Sequence, residues 1–65
     1  MKLNFKEKNG KTISGDVERK ITDLLLRPNR RFPISVGEKG GIGGKATFEI
    51  TNMDDDTAEV EVTMK

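Results

Sequence analysis

Arg27, Arg30 and Arg31, separated only by Pro28 and Asn29 and followed by Phe32, form the densest basic cluster of the chain. Guanidinium forks match phosphate oxygens, and Lys39 and Lys45 extend the group to five positive charges if the loop that carries them folds over it. The chemistry on offer is neutralisation of a nucleic-acid backbone. Two features count against it. Phe32 fits a core-facing alternation and Tyr and Trp are absent, so no ring is free to stack on bases, and the pI near 8.0 is low for a dedicated nucleic-acid binder. The plainer alternative is a solvated cluster at the end of a helix.

A second group is acidic. Strand alternation puts Glu49, Glu59 and Glu61 on one face of a C-terminal hairpin, together with Thr47, Thr51 and Thr63. In any sensible register Glu49 lies opposite or diagonal to a like charge, which weakens the sheet unless a cation sits nearby. This face is placed to receive arginines from a partner protein, or from the basic cluster of a second copy; an ordinary water-facing surface is the competing account. Asn52 with Asp54, Asp55 and Asp56 suggests part of a calcium loop, but Thr57 then falls at the glycine position and Thr63 at the bidentate glutamate. Turn-forming aspartates explain the run better.

The segment Lys39-Gly40-Gly41-Ile42-Gly43-Gly44-Lys45-Ala46-Thr47 invites comparison with the phosphate-cradling loop of nucleotide hydrolases. An extra glycine breaks the spacing, Ala46 stands where a hydroxyl should hold magnesium, and a strand pattern follows where a helix N-terminus is required. What survives is an anion nest of glycine amides, or simply a mobile connection. Ile42 is an odd residue for a solvated tip, so it either enters the core or anchors a partner. Catalysis lacks its usual groups: His, Cys and Tyr are absent, and no Ser or Thr is paired by spacing with a base. No enzyme activity, cofactor, metal site or small-molecule substrate is expected.

These groups must be positioned by a small set of elements. Met1, Leu3 and Phe5 alternate with Lys2, Asn4 and Lys6, the period of a half-buried strand that ends near Glu7. Asn9-Gly10 is a hairpin-turn signal, with Lys11–Ser14 as an optional return strand. Val17, Ile21, Leu24 and Leu25 then recur at helical spacing, with Ser14 or Asp16 as cap and Pro28 as stop, so a helix should run from about Asp16 to Leu26 or Arg27. Phe32, Ile34 and Val36 predict an edge strand, 37–44 a glycine loop, and Ala46–Thr51 and Ala58–Met64 two strands joined by the polar loop 52–57. The expected fold is α+β: a mostly antiparallel sheet of four to five strands with one amphipathic helix, in the order β(β)αβββ, as a single domain over residues 1–65.

A chain of 65 residues builds only a thin core, and without Cys or His neither a disulfide nor a thiolate metal site can staple it. A homo-oligomer is the expected remedy. No apolar run reaches membrane-spanning length and no secretory signal opens the chain, so a cytoplasmic location and no membrane partner are expected. Charge is split between the halves: residues 1–45 carry about +6 and 46–65 about −5. The expectation is a small regulatory or adaptor protein that binds another protein or itself through Ile42, Glu49, Glu59 and Glu61 or an open sheet edge. The alternative is nucleic-acid binding through Arg27, Arg30, Arg31, Lys39 and Lys45.

Overall fold

The structure, a computed structural model, describes residues 1–65. Its elements are β1 (Lys2–Glu7), α1 (Gly15–Leu25), β2 (Lys39–Ile42), β3 (Ala46–Met53) and β4 (Thr57–Met64). The fold is α+β, with one helix and a four-stranded mixed sheet of order β1-β4-β3-β2. Two of the three pairings are antiparallel; β1 runs parallel to β4, with Leu3 beside Ala58 and Phe5 beside Val60. No helix is long and apolar enough to cross a membrane.

Period-two alternation sends Phe48, Ile50, Ala58, Val60 and Val62 to one face of the sheet, where α1 lays Val17, Ile21 and Leu25 on them. These three helical side chains are at most 2% exposed, and burial of each contributes about 2 kcal/mol. An isolated helix of this length is marginal in water, so packing on the sheet is what stabilises it. Ser14 Oγ accepts the Val17 N–H at 3.3 Å, and Asp16 and Glu18 face the positive end of the helix dipole. Leu24, read from the sequence as part of the apolar stripe, lies off its buried centre and is 37% exposed.

The Asn9-Gly10 turn forms, with Gly10 at φ 79°, but Lys11–Ser14 do not return as a strand. The reason is Glu7. Its Oε1 accepts the N–H groups of Asn9 and Lys11 at 2.6 and 2.8 Å, and its Oε2 accepts that of Met64 at 2.8 Å. A carboxylate thus satisfies donors that a hairpin ladder would otherwise take.

The expected strand at Phe32–Val36 is absent, and the third element of the sheet is built from the glycine segment instead. Lys39–Ile42 pairs with Ala46–Glu49, and the Lys45 N–H bonds the Ile42 carbonyl at 2.8 Å. Gly43 and Gly44 both adopt positive φ, 49° and 78°, the requirement for a turn that follows sheet twist. A run of glycines therefore makes a hairpin. Upstream, Gly37 (φ 95°) ends a Ser35–Glu38 turn, after which the Gly37 N–H and the Glu38 carbonyl both bond Ile50. The polar loop between β3 and β4 is shorter than 52–57. A register shift between Ile50 and Asn52 restores Met53 to the helix side, and only Asp54–Asp56 remain outside the strands.

Candidate binding surface

The face of the sheet away from α1 is open and polar. Register aligns one row across all four strands: Lys6 beside Glu61, Glu61 opposite Glu49, Glu49 opposite Lys39. The like-charge pair expected at Glu49 exists, and a cation flanks it on each side. No ammonium approaches these carboxylates within 4.0 Å, so compensation acts across the row and not through contact ion pairs. Glu59 lies one register step away, between Asn4 and Asn52, and is exposed. The three glutamates thus share a face, as the alternation predicts, but Glu49 and Glu61 are partly covered and locally balanced.

Ile42 is 4% exposed and belongs to the core cluster, so it does not anchor a partner at the surface. As the last residue of β2 its side chain takes the helix-side parity of Phe48 and Ala46, which draws it inward.

The five-cation patch does not assemble. Arg30 is fully engaged within the fold: Nε donates to the Phe32 carbonyl at 3.1 Å, Nη1 to the Leu24 carbonyl at 2.9 Å, and Nη2 to both Glu38 carboxylate oxygens at 2.8 and 3.0 Å. One guanidinium therefore ties the end of α1, the following loop and the lead-in to β2. It also satisfies a carbonyl of the last helical turn. Lys45 sits in the turn at the far end of β2 from Glu38 and Lys39. Arg27, Arg31 and Lys39 remain together, around a hollow of about 410 Å³ that Leu24 and Gly41 also line.

What the sequence concealed is the exposure of Phe32. The residue is 72% exposed, because Arg30 holds its carbonyl and the chain reaches β2 only after the Ser35–Glu38 turn. Of the alternating trio, only Ile34 packs against the core; Val36 is 59% exposed. With Leu24 and Leu26 at 37% and 38%, the end of α1 and the segment after it present apolar side chains alongside Arg27 and Arg31. The signal that could have revealed it is Pro33, which removes a ladder donor from the proposed strand.

Comparison with protein-family models, curated proteins and solved structures finds no match to this chain. The Glu7 carboxyl is held below its usual range. The Met64 N–H is the main cause, aided by the Lys11 and Asn9 N–H groups and opposed by burial, and all these contacts are internal to the fold.

Proposed function

We propose that this chain is a small, non-enzymatic regulatory or adaptor protein that acts by binding another protein through the segment after α1 and the adjoining β2 edge. The observation that carries this reading is Phe32. An aromatic residue 72% exposed, its main chain held by Arg30, with Leu24, Leu26, Arg27 and Arg31 nearby in the chain, has the composition of an interface centre. Pre-organisation supports it further: a loop tied at three points loses little freedom on binding. The acidic row on the open face supports binding less well, since Lys6 and Lys39 flank its central pair.

Nucleic acid is the second reading, and the same residue favours it, because an exposed aromatic next to Arg31 in the chain offers a stacking platform. Against it, only Arg27, Arg31 and Lys39 of the basic group remain together and free, and Glu38 lies among them. Three phosphate contacts give weak binding at physiological salt.

Affinity capture from source-cell extract separates the two. The immobilised wild-type chain should retain a protein after nuclease treatment, and Phe32→Ser should lose it while the circular dichroism spectrum is unchanged. Retention that disappears with nuclease and falls steeply with salt would instead establish the nucleic-acid reading. Equal retention by wild type and Phe32→Ser would move the interface off this segment.

A further inference from the structure

We propose that the outer edge of β2 takes an acidic, extended segment of the partner as a fifth strand; this deepens, and rests on, the protein-binding reading above. The Glu38 carbonyl points to β3, where it bonds Ile50, and the Ile42 carbonyl closes the turn to Lys45. Alternation along an antiparallel ladder then directs the main chain of Gly40 inward and that of Lys39 and Gly41 outward. Beyond the sheet ladder, neither Lys39 nor Gly41 makes a main-chain hydrogen bond, and both residues are exposed. The edge thus offers two N–H donors and two carbonyl acceptors in strand geometry. Gly41 adds no side chain to hold an incoming backbone away.

Charge selects the occupant. Arg27, Arg31 and Lys39 border the hollow beside this edge, and the one carboxylate there, Glu38, is already bonded to Arg30. An added strand directs alternate side chains to opposite faces, so a strand acidic at every second residue turns one row of carboxylates toward Arg27 and Arg31. A second copy adding its own β2 would bring Arg27 and Arg31 of the two chains together, which disfavours self-pairing at this edge. Main-chain bonds would supply affinity and the arginines would choose an acidic sequence.

The test is amide hydrogen exchange by NMR on the ¹⁵N-labelled chain with a short synthetic peptide alternating glutamate and valine. A matched peptide, N-methylated at every internal residue, keeps the charge but removes the main-chain donors. The alternating peptide should slow exchange at the Lys39 and Gly41 amides by about tenfold or more, and the methylated one should not. Combined Arg27→Gln and Arg31→Gln should weaken the peptide's affinity by about tenfold. The proposal is overturned by protection at Leu3 and Phe5 on the β1 edge instead, by shifts without protection at Lys39 and Gly41, or by no response at millimolar peptide. It is equally overturned if the unliganded chain already protects these amides by dimerising. If the peptide fails while Phe32→Ser still abolishes protein capture, the protein-binding reading stands and strand addition falls.

Discussion

The ring of Phe48 lies against Gly40, its partner across the β2–β3 pairing: a Cβ placed on Gly40 would stand 2.6 Å from Cζ and 2.8 Å from Cε1. The ring covers the bare glycine backbone and supplies the side-chain surface that the strand itself lacks. At Gly41, the next residue, a Cβ would meet only the Ala46 carbonyl oxygen, at 3.9 Å.

Gly40→Ala should therefore destabilise the fold by about 1–3 kcal/mol, because the ring must leave its site or the strands must part. Gly41→Ala should be neutral or stabilising by up to about 1 kcal/mol, since it restricts the unfolded chain without a clash. Urea titrations of the two variants check the contrast. Equal midpoints would mean that the ring does not depend on the missing Cβ.

Arg30 carries a second prediction. Its guanidinium and the Glu38 carboxylate are 25% and 27% exposed, and the same fork holds two carbonyls. Arg30→Ala should cost about 1–2 kcal/mol, and Arg30→Lys should recover little, because one ammonium cannot span three acceptors in planar geometry. Hydrogen exchange should quicken across residues 30–38 in both variants. If lysine restores wild-type protection, charge alone is sufficient and the fork is not needed.

β1, α1, β3 and β4 were legible in the sequence because their side chains carry a period: Leu3 and Phe5, Val17 with Ile21 and Leu25, Phe48 with Ile50, Val60 with Val62. β2 was not legible, since Gly40 and Gly41 display no period and the apolar surface over the strand belongs to Phe48, in another element. Phe32, Ile34 and Val36 show the opposite failure. Their alternation is real, but Pro33, the Arg30 bonds and the Gly37 turn leave no ladder for them to join. The acidic face was readable as a face, whereas the flanking of Glu49 and Glu61 by Lys39 and Lys6 depends on strand order. Glu7 was missed for a similar reason, because its contact with Met64 spans nearly the whole chain.

The flanking of the Glu49–Glu61 pair by Lys39 makes a salt-dependent prediction. Lys39→Gln removes the cation opposite Glu49 and leaves the repulsion between Glu49 and Glu61 uncompensated on that side, so it should destabilise by about 0.2–1 kcal/mol at low ionic strength. The loss should shrink as salt screens the charges. Thermal melts at low and high salt provide the check. A loss that does not change with salt would assign the effect to side-chain packing instead of charge.

Glu7 gives the pH dependence. Its folded-state pKa lies below the ordinary value of 4.5, chiefly through the Met64 N–H, so the unfolded chain takes up its proton first as the pH falls. The stabilisation is therefore complete above the ordinary glutamate pKa and is lost progressively as acid titrates toward and through the folded value. Glu7→Gln offers one carbonyl oxygen where the carboxylate uses two to accept three donors, and its amide NH₂ confronts an N–H. At neutral pH the glutamine variant should be the less stable, with faster exchange at Asn9, Lys11 and Met64. Below about pH 4 the difference should narrow, because the wild-type carboxyl is then protonating as well. Urea midpoints of both proteins measured from neutral pH downward should converge; curves that stay parallel would show that the ionised carboxylate of Glu7 adds nothing specific to holding the end of β4 against the turn after β1.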